Sequence, residues 1–181
     1  PIYGQGKRHL NDRLRELRQE RGWTQRDVQR LIGIDRGNYS KIELGTRYYT
    51  IRQCMKLAVV FETSMDYLAG LTDEREPYER SKVWLAEISQ KEAGKAERKK
   101  GLSPELRNRL FGLRTEKKYT QVKIQMLTGV DQSNYSKLER GELPYTFEQC
   151  RIIALTMNTS MDYLVGLTDG KEPHKRKKNI C

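Results

Sequence analysis

Apolar residues recur at three- and four-residue spacing along most of this chain, in short runs punctuated by Gly, Asp, Ser and Thr. Leu10, Leu14 and Leu17 form one stripe and predict a helix over about Leu10 to Arg21, with Arg13, Arg15 and Arg18 on its polar side. A second helix is expected from Thr24, whose hydroxyl can cap it; Val28, Leu31 and Ile32 turn inward and Gly33 breaks it. Asp35 then caps a short third helix that buries Tyr39 and Ile42 and ends at Gly45. The fourth helix runs about Ile51 to Phe61, its inner face Ile51, Cys54, Leu57, Ala58 and Phe61. The fifth starts near Ser64, buries Met65 and Leu68, and ends at Gly70. No stretch alternates as a half-buried strand does, so the pattern predicts an all-α bundle of five helices.

The pattern then repeats. Shifted by 96 residues, Thr24-Gln25 falls on Thr120-Gln121, Asn38 to Lys41 on Asn134 to Lys137, and Ser64 to Leu68 on Ser160 to Leu164. About half the positions between Asn11 and Pro77 are identical in the second copy, without a gap, which is the signature of an internal repeat. In the second copy Ser103-Pro104-Glu105 starts the first helix, around Leu106, Leu110 and Leu113 with Arg107, Arg109 and Arg114 beside them. Ile124 and Leu127 are its inward second-helix positions, Asp131 caps its third helix, and Phe147, Cys150, Ile153, Ala154 and Met157 line its fourth.

The domain reading is therefore a first bundle over 8–76, a linker over 77–101, a second bundle over 102–173 and a basic disordered tail over 174–181. The linker is highly charged, and Ser81 to Lys100 runs without proline, which predicts a helix of about 20 residues, roughly 30 Å long. Val83, Trp84, Leu85 and Ile88 give that helix an apolar start expected to dock on the first bundle.

Charge changes the picture from fold to partner. The formal net charge is +11 and 33% of the 181 residues are charged, which suggests a polyanionic partner. No apolar run approaches the ~18 residues of a membrane span, and Pro1 to Gly6 is not an apolar signal segment. Three cysteines are too sparse for a disulfide framework or a zinc site; the repeat-equivalent Cys54 and Cys150 are expected to be packed thiols. The two histidines, His9 and His174, lie at opposite margins, and the carboxylates sit at caps and on solvated faces. That set offers no acid/base constellation, metal cluster or cofactor site, so the expectation is a non-enzymatic, cofactor-free chain, and with no span or signal segment a cytoplasmic one.

The stretches Trp23 to Gly45 and Tyr119 to Gly141, each with its following helices through Asp73 and Asp169, resemble the phage repressor and Cro-like helix-turn-helix family. The likeness covers about three quarters of the chain and implies that the third helix of each copy enters the major groove of DNA. The family's base-reading positions match Asp35, Arg36, Gly37 and Lys41 in the first copy, and Asp131, Gln132, Ser133 and Lys137 in the second. Arg36 can address guanine through two bonds, and Gln132 and Asn134 can address adenine. Asn38 and Asn134 are added candidates from their identity in both copies; Asn near a helix start can equally bond locally.

Gln25 and Gln121 resemble the family's phosphate-contacting glutamine, and the caps beside them, Thr24 and Thr120, are phosphate candidates with them. Arg47 follows Gly45 and is a candidate phosphate clamp; its counterpart is Leu143. Of Tyr48 and Tyr49, one belongs to the core and the other can meet phosphate; Tyr145 pairs with Tyr49 and Pro144 replaces Tyr48. Gly37 is anomalous, since glycine costs a helix about 1 kcal/mol against alanine.

These features lead to a sequence-specific regulator, a repressor by occupancy, reading related but non-identical half-sites about 34 Å apart if the bundles mimic a family dimer. It would act as a monomeric pseudo-dimer or a homodimer, with room for a regulatory protein partner near Trp84. The alternative is an antitoxin-like or inhibitor module that binds a protein as well as DNA. RNA binding is the weaker third reading, since the tyrosines form no base-stacking platform.

Overall fold

The computed structural model describes the backbone of residues 3–85 and 104–178, with side chains over 12–35, 37–85 and 109–178. Ten helices are defined among them. The first five are α1 (Tyr3–Glu20), α2 (Gln25–Ile32), α3 (Arg36–Glu43), α4 (Ile51–Val60) and α5 (Met65–Leu68). Their counterparts are α6 (Pro104–Glu116), α7 (Gln121–Thr128), α8 (Gln132–Glu139), α9 (Phe147–Met157) and α10 (Met161–Val165). The all-α, twice-built fold expected from the periodicity is the fold observed. The helical linker expected after residue 77 lies, beyond residue 85, outside the described residues.

The chain divides into two compact units: residues 1–77 with 174–181, and residues 78–173. In the first, Leu14 and Leu17 of α1, Val28 of α2, Tyr39 of α3, Cys54 and Leu57 of α4 and Leu68 of α5 converge on one core and are wholly buried. In the second the same places are filled by Leu110, Leu113, Ile124, Tyr135, Cys150, Ile153 and Leu164. Truncating one such leucine to alanine costs about 2–5 kcal/mol, so neither unit tolerates many losses. Cys54 and Cys150 are buried free thiols, as the pattern predicts.

Caps set the helix boundaries. Thr24 accepts from the Asp27 amide while the Asp27 carboxylate accepts from the Thr24 amide, a reciprocal box; Thr120 caps Lys123 without one. Thr50 and Thr146 form boxes with Gln53 and Gln149. Gly33 and Gly129 close α2 and α7 in the left-handed region, at φ 65° and 71°, where a Cβ is strained.

Four expectations are corrected. Leu31 and Leu127 are 55% and 44% exposed, because the short second helix buries a narrow arc, Val28, Gln29 and Ile32 in α2, and Leu31 lies on its far side. Ile51 is half-buried while its counterpart Phe147 is buried. Arg13 and Arg18 leave the polar side: Arg13 is 8% exposed and bonded inward. It donates to the carbonyls of Tyr67 and Thr72 at 2.6 and 2.7 Å, pairs with Asp73 and lies 4.2 Å over the Tyr67 ring. Arg109 repeats this with Tyr163, Thr168 and Asp169. Each guanidinium adds a donor to carbonyls at and beyond the end of the last helix, bridging the helix end to the segment that follows it.

The tail and the linker start form the fourth correction. Residues 174–178 are not a free tail but part of the first unit, where Arg176 meets the buried Asp66. Residues 78–85 belong to the second unit, not the first. Within that start Tyr78 is buried, 82–85 is helical, Trp84 is half-buried, and Ile88 lies outside the described residues.

Candidate nucleic-acid interface

Two short helices joined by a tight turn carry the candidate residues in each unit, and one buried carboxylate holds them in register. Glu43, at the end of α3, is 1% exposed. Arg18 of α1 reaches it with Nε at 2.6 Å and Nη2 at 3.1 Å, Gln25 of α2 with Nε2 at 2.6 Å, and the Tyr39 hydroxyl at 2.8 Å. Arg18 also donates to the Trp23 carbonyl at 2.8 Å, fixing the approach to α2. Burial pushes the Glu43 carboxyl up, but the hydrogen bonds from Arg18, Gln25 and Tyr39 and the Arg18 charge outweigh it and hold the group below the usual carboxylate range. The second unit rebuilds this around Glu139, with Arg114 Nε at 2.5 Å and Gln121 Nε2 at 2.8 Å, and Arg114 donating to the Tyr119 carbonyl at 2.9 Å. Sequence reading assigned no role to Glu43 or Glu139; the signal was present in their spacing from Arg18 and Arg114, 25 residues in both copies.

With Tyr39, Ile42 and Glu43 buried, α3 turns Gly37 and Lys41 to solvent, and its C-cap Leu44 is exposed after them. In α8 the exposed set is Gln132, Ser133, Asn134 and Lys137, followed by its C-cap Arg140. Arg36 opens α3, and its side chain lies outside the described residues. In the first unit the starts of α2 and α3 share a shallow groove of about 810 Å³ lined by Trp23, Thr24, Gln25, Arg26, Gly37 and Ser40, among others. So Thr24, Gln25 and Gly37, separate in sequence, come together, and Arg26 joins them.

Asp35 and Asp131 are used as caps: Asp35 accepts from the Asn38 amide at 3.0 Å, and Asp131 from the amides of Ser133 and Asn134 at 2.9 and 3.3 Å. Asn38 is locally engaged, its amide group donating to Asp35 and its oxygen accepting from Arg47. Asn134 is exposed, and its side chain has no such bond among the described residues. Arg47 thus reaches back from the loop to the start of α3, beside the candidate base readers and not only along the flank. Gln25 and Gln121 each donate an amide proton inward to Glu43 or Glu139, leaving the amide oxygen and second proton for an outside partner. Tyr49 and Tyr145 are the core tyrosines, 6% and 7% exposed, and Tyr48 is 49% exposed. Arg140, unremarked in the sequence, extends the exposed face of α8 and pairs with Glu142 at 2.6 Å.

A family model described as "Helix-turn-helix" matches residues 14–68 and again 112–164, together more than half of the chain. The chain belongs to this helix-turn-helix family. A curated relative, the uncharacterized HTH-type transcriptional regulator YobD of Bacillus subtilis (strain 168), is 32% identical over 65 residues, which are 36% of this chain and 58% of the relative. The chain thus spans less than two thirds of that relative's length. No solved structure matches significantly. Among the described residues, no helix is long and apolar enough to cross a membrane.

Proposed function

We propose that this chain is a sequence-specific double-stranded DNA-binding transcription regulator, a repressor by occupancy that reads a bipartite operator with its two modules. The observation that carries the reading is the helix pair built twice: one buried carboxylate locks the second and third helices together, and the third helix presents a polar, cationic face. A rigid helix with short polar side chains at its start suits entry into the major groove. The net charge of +11 supplies the phosphate attraction, and the family and the relative's regulatory name agree with it.

The faces are not copies. The first offers Arg36, Gly37, Lys41 and an Arg47 held by Asn38; the second offers Gln132, Ser133, Asn134 and Lys137. The half-sites are therefore related and non-identical. Selection of bound duplexes from random DNA near ~0.15 M salt tests this. A two-part motif with unlike halves is the expected result; salt-sensitive binding with no enriched motif would remove the reading.

A protein-binding role alongside DNA has one observation in its favour: Val83 and Leu85 are 43% and 48% exposed at the linker start. Pull-down with Val83→Ser and Leu85→Ser controls separates it from DNA binding alone.

A further inference from the structure

Asp66 and Asp162 are repeat-equivalent carboxylates with no solvent exposure, one in the first turn of α5 and one in that of α10. A buried carboxylate is costly without a cation facing it. Arg176 supplies that cation in the first unit, its Nη1 2.9 Å from Asp66. Arg80 supplies it in the second, its Nη1 3.6 Å from Asp162.

The backbone follows the same scheme. Lys177 donates its amide to the Leu71 carbonyl at 3.2 Å, and Ser81 donates to the Leu167 carbonyl at 2.9 Å. These are again equivalent pairs under the 96-residue shift, as are Arg80 and Arg176 themselves. In the first unit the segment is further held by the Thr72 hydroxyl, which donates to the Lys175 carbonyl at 2.8 Å, by an antiparallel bridge of Thr72 with Arg176, and by Lys177 against Asp73 at 2.8 Å.

In each case the arm comes from the wrong repeat by chain order. Residues 78–85 follow the first repeat but complete the second unit; residues 174–178 follow the second repeat but complete the first. A segment docking on the repeat it follows would pair Arg80 with Asp66 and Arg176 with Asp162; both pairings are crossed.

We infer that each repeat carries a receptor for an extended, arginine-bearing arm, built from the buried aspartate and the carbonyl five residues after it, and that the two receptors are filled by reciprocal exchange of arms within one chain. The repeats are then joined by two arm dockings besides the peptide linker. This stands apart from the DNA reading, since neither receptor uses a residue of α2, α3, α7 or α8.

The test is a cut chain. With a site-specific protease sequence placed within 86–103 of the full-length protein, the two fragments are expected to co-elute at micromolar concentration after complete cleavage. The same chain carrying Arg80→Gln and Arg176→Gln is expected to separate into two. Hydrogen exchange on the uncut single variants gives the crossed readout. Arg80→Gln speeds exchange over residues 161–168 roughly tenfold and spares 65–72, and Arg176→Gln does the reverse. Separation of the cut parent chain overturns the inference. So does loosening of 65–72 by Arg80→Gln, or a parent chain whose uncut form is a dimer dispersed by the arm variants, since the exchange would then run between copies.

Discussion

Gln25 Nε2 lies 2.6 Å from Oε2 of Glu43, a bond that ties the first residue of one helix to the last residue of the next. With the Arg18 fork on the same carboxylate, it makes the angle between α2 and α3 a property of one buried group. Glu43→Ala leaves Arg18 unpaired and is expected to cost the first unit about 3–5 kcal/mol, read from Trp23 fluorescence in urea with Trp84→Phe to silence the second unit. A cost under about 1 kcal/mol would mean that packing alone sets the angle.

The same carboxylate gives the first unit an acid limb. Its folded pKa is held below its unfolded value near ~4.3, so the contribution is fully present above that value and is lost as pH falls through the depressed folded value. Glu43→Gln is expected to lower stability at neutral pH and flatten that limb. Unfolding midpoints measured from pH 7 downward check it; an unchanged slope would place the acid sensitivity elsewhere.

Gly37 has room for a side chain. A Cβ built there meets only the Asp35 carboxylate, at ordinary contact distance of 3.7 Å, and its backbone needs no left-handed conformation. Among the described residues, nothing within the unit therefore requires glycine. Gly37→Ala is expected to stabilise the first unit by up to about 1 kcal/mol while weakening binding to its half-site. Calorimetry and a binding titration decide; stabilisation with unchanged affinity would show that the glycine gives DNA nothing.

Arg36→Ala and Gln132→Ala are each expected to relax one half-site, by about 1–3 kcal/mol of discrimination. The double variant is expected to retain mainly salt-sensitive, non-specific binding. If specific affinity survived both changes, α3 and α8 would not be the readers. Arg47→Ala, which removes the guanidinium that reaches back to Asn38 near the start of α3, is expected to weaken the first half-site only.

Arg13→Ala exposes a different dependence. It leaves the Tyr67 and Thr72 carbonyls without their shared donor, at an expected cost of about 2–3 kcal/mol to the first unit, with Arg109→Ala doing the same to the second. Lysine, with one compact ammonium, is not expected to restore the two carbonyl bonds, the aspartate pairing and the stacking together.

The helices were legible because their caps are local. Thr24, Asp35, Ser64 and their counterparts announce starts within three residues, and the leucine stripes announce faces. The repeat made each reading twice. What was hidden lay in long-range polar pairing, where a charged residue looks solvated until its partner is known. Arg13, Arg18 and Glu43 all read as surface groups, and each is bonded across 25 or more residues. Leu31 failed in the opposite direction, because periodicity gives an apolar stripe but not the width of the neighbour that covers it. At the interface, sequence placed Asn38 and Arg47 in separate roles, and only the loop geometry joins them.

Arg176 is made 110 residues after Asp66. During synthesis the first repeat therefore emerges without the arginine that faces its buried aspartate, and waits for it until nearly the whole second repeat has been translated. The second repeat has no such wait, since Arg80 precedes Asp162 in the chain. The ribosome thus delivers two near-copies in unequal states, and the earlier-born module is the later to mature.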